Sequence, residues 1–590
     1  MNKRIKDLQK KAIKLIVPRL AITTIVSISN AIISFVAQIW LLKYILNAVT
    51  KKEYLDIVFA LLLVFLLQLL MNVVNSYVNT VLYPRLDNKI RAGFQSFIFE
   101  FTASVDIESF DEQDYFDKMH RVIFQSNGRI IEVINLYGRL LNAITMFIMI
   151  SLFLFESSLI LLLMALIPMF SNILVGRLQN KFNYEKSIEM TGEIRRNEYF
   201  KRIIYQKKYA KEIRVTNIIS LVKEMFSLSV ENNISIIKTY SLVNICMDLL
   251  MKGINTLSIN CGIVLCVAYK AMVLHTFSVT ACIVLIRSLW QLNNSFVQIS
   301  DVILDLHEQY LYLIDVKTFF NVETHINNPE KQKSDVCRFK NEMVFQNVYF
   351  KYKNSNEYTL SDINITIKKG QKIALVGANG SGKTTLLKLL LRLYDATEGT
   401  IRLDGVDIKD LNYTSYRNLF GVELQDFRIF AMPLKNNIYV EKEPGKIENL
   451  YVISGIRSII ERCANGLNTN MTKEFDDNGE YLSGGEEQRI ALARAYSKDA
   501  DIMVLDEPSS ALDPIAEHEI FTNMMRICKN KTLIMISHRL SSVIDADCIY
   551  MIEDGRIIET GTHDELMQYN GKYAKLFNVQ AKKYLEGVNL

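Results

Sequence analysis

Apolar residues are spread unevenly along this chain. Before about residue 300 they gather into long runs, and six stretches approach the roughly 20 apolar residues needed to cross a bilayer: about 19–47, 56–83, 129–155, 157–178, 241–271 and 276–300. Ile57 to Leu67 and Leu159 to Ile167 continue without the polar face that a surface helix of a soluble core requires. The last two stretches are interrupted by polar residues. Ahead of the first, Ile5, Leu8, Ala12, Ile13, Leu15 and Ile16 alternate with lysines, a pattern that predicts an amphipathic helix lying along a membrane surface. No small-residue cleavage site follows a short apolar stretch, so a removable signal peptide is not expected. After about residue 340 the apolar runs shorten to the lengths of single strands and helices, such as Ile373 to Val376 and Thr532 to Ser537.

Charge orients the first half. The connections near Lys51, Glu156 and His275 are short and nearly neutral. Segments 84–128 and 179–240 are long and basic, with Arg195, Arg196, Lys207, Lys208, Lys211 and Arg214. Positive segments stay on the cytoplasmic side, so both termini are expected there, in a multi-pass protein of the cell membrane. At 590 residues more than one domain is required, and the stretch around Asn327, Asn328 and Pro329 reads as a linker. The net charge of +5 gives no reason to expect a nucleic-acid partner. Abundant Lys, Ile and Asn suggest a bacterial source. The eight cysteines lack metal-ligand spacing and fall in spans or on the cytoplasmic side, so free thiols are expected.

The densest chemistry is the run Gly377-Ala378-Asn379-Gly380-Ser381-Gly382-Lys383-Thr384. It lies between the Ile373 to Val376 strand and a helix-forming stretch that opens at Thr385. A strand, a glycine turn and a helix make a phosphate cradle of backbone N–H groups. Lys383 would reach the outer phosphates and the Thr384 hydroxyl would ligate Mg²⁺. Ile502 to Leu505 leads into Asp506 and Glu507, one acid to hold Mg²⁺ through its water shell and one to polarise an attacking water. Leu482-Ser483-Gly484-Gly485-Glu486 is a second glycine-rich helix start, placed to serve a nucleotide on another subunit. His538 ends the Thr532 to Ser537 strand, and Gln425 follows the mostly apolar Leu419 to Leu424.

With these residues in view, about Asn341 to Val579 resembles an ATP-binding cassette (ABC) nucleotide-binding domain. The resemblance implies an α/β P-loop fold, with ATP and Mg²⁺ bound between two cassettes set head to tail. It makes Gln425, Asp506 and Thr384 metal contacts, Glu507, His538 and Gln425 catalytic, and Tyr352 the aromatic that stacks on adenine, with Phe350 packing inward. Ser483, Gly484 and Gly485 would reach the partner's nucleotide. Ser510-Ala511-Leu512-Asp513 matches the D-loop, and Glu486 departs from the usual glutamine of the signature. Six spans before one cassette resemble an exporter half-transporter of the type IV class. That places an α-helical six-span transmembrane domain at 1–320, a linker at 321–340, the cassette at 341–580 and a tail at 581–590. Ile107 to Asp111 with Asp114-Tyr115-Phe116, and Tyr209 to Arg214, resemble the two cytoplasmic coupling regions. A complete set of catalytic groups favours a homodimer, with a related half-transporter as the other partner.

Polar residues within the spans leave the cargo open. Arg287 lies mid-span, and Asp248 and Lys252 share a helix face. Asn30, Gln38, Asn75, Asn142, Asn244 and others line a wet cavity on one reading and hydrogen-bond between helices on the other, which is favoured. Phe475-Asp476-Asp477-Asn478-Gly479 resembles cassettes of bacterial peptide and lanthipeptide exporters, so a peptide is the leading cargo. Drug or lipid export is the alternative, and an ATP-gated channel a distant third.

Overall fold

The computed structural model describes residues 3–157, 167–257, 264–272, 278–322, 326, 335, 338–353, 355–439, 450–452, 454–507, 522, 525, 528 and 531–587. The chain divides into two compact units, one of Met1–Ala103 with Asp117–Val322 and one of Ser104–Phe116 with Glu323–Leu590.

Long helices make up the first unit. They are α1 (Lys3–Phe35), α2 (Leu41–Lys51), α3 (Tyr54–Tyr77) and α4 (Tyr83–Ser104), then, past the short α5 (Ile107–Phe110) that belongs to the second unit, α6 (Gln113–Ser157). After these come α7 (Ile167–Tyr205), α8 (Lys207–Thr216), α9 (Ile219–Asn255), α10 (Val264–Met272) and α11 (Val279–Phe320). Single π turns join α1 to α2 and α3 to α4, at Val36–Trp40 and Val78–Leu82, so the helical path is not broken there. The 42 residues of α11 extend roughly 63 Å. That is about twice the roughly 30 Å of a hydrocarbon core.

Among the described residues, four stretches are long and apolar enough to cross a membrane: Lys10–Lys51, Tyr54–Ser104, Gly128–Phe155 and Ile219–Ile254. Helix α3 shows why, since Leu55, Phe59, Phe65 and Leu66 point outward. Helix α11 covers the expected span 276–300 but is diluted by Arg287, Gln291, Asn293 and Asn294. Of the expected span 157–178, residues 158–166 lie outside the described residues, and 167–178 form the start of α7. The amphipathic N-terminal segment is not an element of its own. It is the first part of α1, which runs unbroken through Pro18, and its Leu15 sits against Gly93 of α4.

Several polar residues of this unit bond to another helix. Asn30 and Asn75 exchange amide hydrogen bonds of 3.2 and 2.9 Å, and Asn142 donates to the Ser27 carbonyl at 3.0 Å. A ladder runs between antiparallel α7 and α9: Gln179 to Asp248 (3.1 Å), Asn244 to Asn183 (3.0 Å) and Tyr240 to Glu189 (3.0 Å). Arg287 reaches Gln38 at 3.4 Å, and Lys252 lies 3.9 Å from Asp248.

The second unit is built on two sheets. A four-stranded antiparallel sheet orders β2-β1-β4-β5, from β1 (Glu342–Phe350), β2 (Leu360–Lys368), β4 (Glu398–Leu403) and β5 (Val406–Asp407). A six-stranded sheet orders β10-β9-β3-β8-β7-β6. It comprises β3 (Lys372–Val376), β6 (Phe420–Glu423), β7 (Ile502–Asp506), β8 (Thr532–Ile536), β9 (Cys548–Glu553) and β10 (Arg556–Gly561). Strands β9, β3, β8, β7 and β6 are parallel, and β7 and β8 are buried at every residue. Such continuous apolar runs mark strands covered on both faces. Helix α12 (Lys383–Leu390) follows β3, and its Leu386, Leu387 and Leu390 join Phe345, Ile365 and Leu375 in the core between the sheets. The parallel arrangement puts the segments after β3, β6, β7 and β8 at one edge, where open α/β sheets bind ligands.

Segment 104–116 is held within this unit. Asp106 accepts from the Ile326 N–H at 3.2 Å, Asp111 accepts from the Tyr394 hydroxyl at 2.6 Å, and Glu112 pairs with Lys353. The second expected coupling region is α8, a short helix between two long ones that stops at Asn217 in the left-handed conformation.

Candidate nucleotide site

The loop between β3 and α12 closes tightly on its neighbours. A Cβ at Gly377 would lie 2.2 Å from the Ile552 carbonyl oxygen. Gly382 has φ +106°, and a Cβ there would meet Leu360 at 2.6 Å. Neither position has room for a side chain. Lys383 is 5% exposed, and its ammonium folds back to donate to the carbonyls of Gly377 (2.9 Å) and Ala378 (2.8 Å). Burial lowers the Lys383 pKa, and the charges of Glu507 and Asp506 offset part of that.

A cavity of about 440 Å³ opens over this loop. Asn379, Gly380, Gly382, Lys383, Thr384 and Thr385 form one wall, and Gln425, Glu507 and His538 form the other. Nine residues expected from the sequence therefore line one space, arriving from four strand ends. Gly377 and Ser381 shape the loop without lining the cavity. Ser381 is buried, and its N–H donates to the Ala378 carbonyl at 3.2 Å. A larger cavity of about 860 Å³, walled by Leu393, Arg417, Val422 and Arg494, contains none of the motif residues.

Glu507 is gripped from several sides. Its φ of +55° is left-handed, a conformation costly for a side-chain-bearing residue and common at functional sites. The Gln425 amide donates to Oε2 at 3.1 Å, His538 Nε2 donates to Oε1 at 2.6 Å, and the Gln488 amide donates to the Glu507 carbonyl at 3.3 Å. Burial and the nearby Lys383 charge lower the His538 pKa, against the pull of Glu507. Asp506 is 2% exposed, and its Oδ1 has no hydrogen-bond partner among the described residues. Its carboxyl is pushed up to about 6, first by burial and next by Glu507, with Lys383 opposing.

Tyr352 stands apart from the cavity wall but touches α12. Its hydroxyl lies 3.2 Å from Thr385 Oγ1 and accepts from Lys388 at 3.3 Å. Its ring packs edge-on to Phe350 and Tyr394, at 4.9 and 5.5 Å between centroids. Phe350 is buried and Tyr352 half-buried. The signature residues lie outside this cavity. Ser483 caps α13 (Gly484–Ser497) and is exposed, with Gly484 exposed and Gly485 half-buried behind it. Glu486 explains its own departure from glutamine. It completes a capping box by accepting from the Ser483 N–H at 2.9 Å, and it pairs with Arg462 at 2.5 Å. That arginine is the first cause of the lowered Glu486 pKa. Asp513, with the rest of the D-loop, lies outside the described residues.

Sequence reasoning missed Glu423, Gln488 and Tyr394. Glu423 sits in β6 at 1% exposure, bonded to Gln488 at 3.4 Å, and burial pushes its carboxyl up to about 8. An acid inside an apolar strand was the available signal. Tyr394, between Tyr352 and Asp111, carried none. Cys246, Cys282, Cys463, Cys528 and Cys548 are free.

Residues 360–510 match the family described as ABC transporter. The chain is 30% identical over 491 residues to the subtilin transport ATP-binding protein SpaT of Bacillus subtilis, covering 80% of this chain and 77% of that one. It is 38% identical over 257 residues to the putative multidrug export ATP-binding/permease protein YgaD of B. subtilis, 43% of each chain. It is 38% identical over 269 residues to the ATP-dependent lipid A-core flippase of Methylobacillus flagellatus, 44% of this chain and 45% of that one. The fold matches that of a bacterial Atm1-family ABC exporter solved with ATP bound, at TM-score 0.79 and 20% identity over 97% of this chain and 98% of that one. A phosphate-cradling loop, a carboxylate pair and a helical membrane-type unit on one polypeptide agree with these likenesses, and the chain belongs to the ABC transporter family as an exporter half-transporter that hydrolyses ATP.

Proposed function

We propose that two copies of this chain form a homodimer that traps two MgATP head to tail and uses their hydrolysis to move a peptide outward across a bacterial cell membrane. The observation that carries the nucleotide chemistry is the 440 Å³ cavity, where the Lys383 loop faces Gln425, Glu507 and His538. Lys383 exchanges the Gly377 and Ala378 carbonyls for phosphate oxygens, and the N–H groups of residues 379–384 hold the remaining charge. Tyr352 stacks on adenine. Glu507 accepts a hydrogen bond from the attacking water, and Gln425 and His538 keep its carboxylate aimed into the cavity. Ser483, Gly484 and Gly485, outside their own chain's cavity, contact the other copy's phosphates, and Asp513 lies at the same seam.

Mg²⁺ fits the residues present. Thr384 is exposed to the cavity, and Asp506 offers a buried carboxylate oxygen without a partner. With Gln425 these are oxygen donors suited to a hard cation. When bound, the ion neutralises charge on the transferring phosphoryl group. The basic segments 84–128 and 179–240 favour cytoplasmic termini.

A peptide cargo is supported by the reach of the likenesses. The 491-residue alignment to SpaT extends well past the cassette, whereas those to YgaD and the flippase are only as long as a cassette. The decisive experiment measures ATPase activity in proteoliposomes against panels of peptides, lipids and drugs. Peptide stimulation is expected, and stimulation by lipid or drug alone overturns the cargo. Glu507→Gln should bind ATP and turn over at least about 100-fold more slowly. Normal turnover would remove Glu507 from its role.

A further inference from the structure

The C-terminal helix, α14 (Lys572–Gly587), reaches the nucleotide site through one side chain. Glu559 of β10 fixes its first turn by accepting from the N–H groups of Lys572 (2.6 Å) and Tyr573 (3.0 Å). Tyr573 is fully buried with Leu540 and Val543, and Phe577 packs beside it. Gln580 follows on the same face, at the i, i+4, i+7 spacing of one helical stripe. Its amide donates to the His538 carbonyl at 2.7 Å and accepts from the Leu540 N–H at 3.0 Å. These two polar links join α14 to the loop after β8, and they hold the backbone of the histidine whose ring lies 2.6 Å from Glu507.

We infer that Gln580 is a positioning residue for ATP hydrolysis, a two-point clamp through which the C-terminal helix sets the His538 ring against Glu507. The inference rests on the proposed pairing of Glu507 with His538. An amide side chain that satisfies both a carbonyl and an N–H two residues apart removes the loop's freedom to shift, and a reacting group misplaced by about 1 Å costs up to about 100-fold in rate. The bonds themselves are ordinary, each worth about 1 kcal/mol net. Losing both is therefore expected to act on geometry more than on stability.

The test uses the full chain in lipid nanodiscs and compares the parent with Gln580→Leu, Gln580→Glu, Glu507→Gln and His538→Ala. Gln580→Leu keeps the volume and loses both bonds. Gln580→Glu keeps the acceptor for Leu540 and loses the donor to His538. Turnover at saturating ATP is expected to fall about 5- to 20-fold in Gln580→Leu and less in Gln580→Glu. The KM for ATP and the midpoint of thermal unfolding should stay close to the parent's. A Gln580→Leu turnover equal to the parent's overturns the inference, and so does a loss matched by weaker ATP binding or earlier unfolding. If Glu507→Gln and His538→Ala turn over normally, the reading of the site itself fails. If those two are impaired and Gln580→Leu is not, only the clamp fails.

Discussion

Arg19 in the helical unit and Asp506 in the cassette unit are almost equally buried, at 1% and 2% exposure, and their surroundings treat them in opposite ways. Arg19 is saturated. It pairs with Asp87 at 3.0 Å, donates to Asn135 at 2.9 Å and to the Thr23 hydroxyl, and lies 3.2 Å from the centre of the Tyr83 ring. Its partners come from α1, α4 and α6. Among the described residues Asp506 keeps one carboxylate oxygen with no partner, as does Glu423 nearby. A buried charge with all its bonds made holds helices together. A buried charge left short stores a cost that a ligand can relieve. The contrast separates scaffold from site more sharply than burial does.

The strongest way to break the contrast is to cut the saturated charge. Asp87→Leu leaves Arg19 buried beside an apolar side chain, and removing one partner of a buried pair costs about 3–5 kcal/mol. Replacing both, as Arg19→Met with Asp87→Leu, is expected to recover most of that loss. Thermal unfolding in detergent reads both. If Asp87→Leu leaves the midpoint unchanged, the Arg19 cluster is not a scaffold.

The second prediction concerns Glu423, the buried acid left short of partners. Burial pushes its carboxyl from the ordinary glutamate range, near 4.5, up to about 8 in the folded protein. The folded state therefore holds a proton that the unfolded state releases, and Glu423 costs stability as pH rises from about 4.5 through about 8. Glu423→Gln keeps a neutral amide at all pH values. It should leave the unfolding midpoint nearly unchanged at pH 5 and raise it at pH 8, by about 2–4 kcal/mol of stability. An equal effect at both pH values would show that the carboxyl does not titrate in this window.

A third test asks whether the α5 segment is coupled to Tyr352, the residue proposed to stack on adenine. Asp111 accepts from Tyr394, which packs on Tyr352, which touches Thr385 and Lys388. Asp111→Ala is expected to lower substrate-stimulated ATPase about 3- to 10-fold while unstimulated turnover stays near the parent's. Equal loss of both would assign Asp111 to folding of the cassette instead.

How much of this the sequence could show follows the same division. Nine of the cavity's residues were legible because the segments that carry them follow apolar strands, and a parallel sheet brings such strand ends together; Thr359, just before β2, lines the same cavity and was not foreseen. The clamp at Gln580 and the link through Tyr394 were not legible. Each depends on a side chain meeting backbone or a ring from another segment, and no spacing encodes that meeting. Four long helices carry apolar stretches that the sequence shows, but hydropathy alone does not give their full lengths, since charged residues such as those of 179–205 continue a helix past its apolar part. The N-terminal segment was expected to lie apart because its lysines alternate with apolar residues. It continues into α1 because Leu15 finds Gly93.

The smallest effect gives the finest test of the comparison. Asn30 and Asn75 are the most symmetric polar pair of the helical unit, each amide donating to the other. If they are scaffold, as Arg19 is, their value lies in each other. A double-mutant cycle with Asn30→Ala and Asn75→Ala should then give a coupling of about 0.6 kcal/mol, the typical worth of a hydrogen bond between membrane helices, because a lone amide there finds other partners. Stimulation of ATPase by cargo should be the same in the two single variants and in the double variant. A coupling near zero together with a changed cargo preference would mean that the amides face what is carried. Saturation would then no longer distinguish scaffold from site in this protein, because a pair that satisfies itself at rest would open to bind.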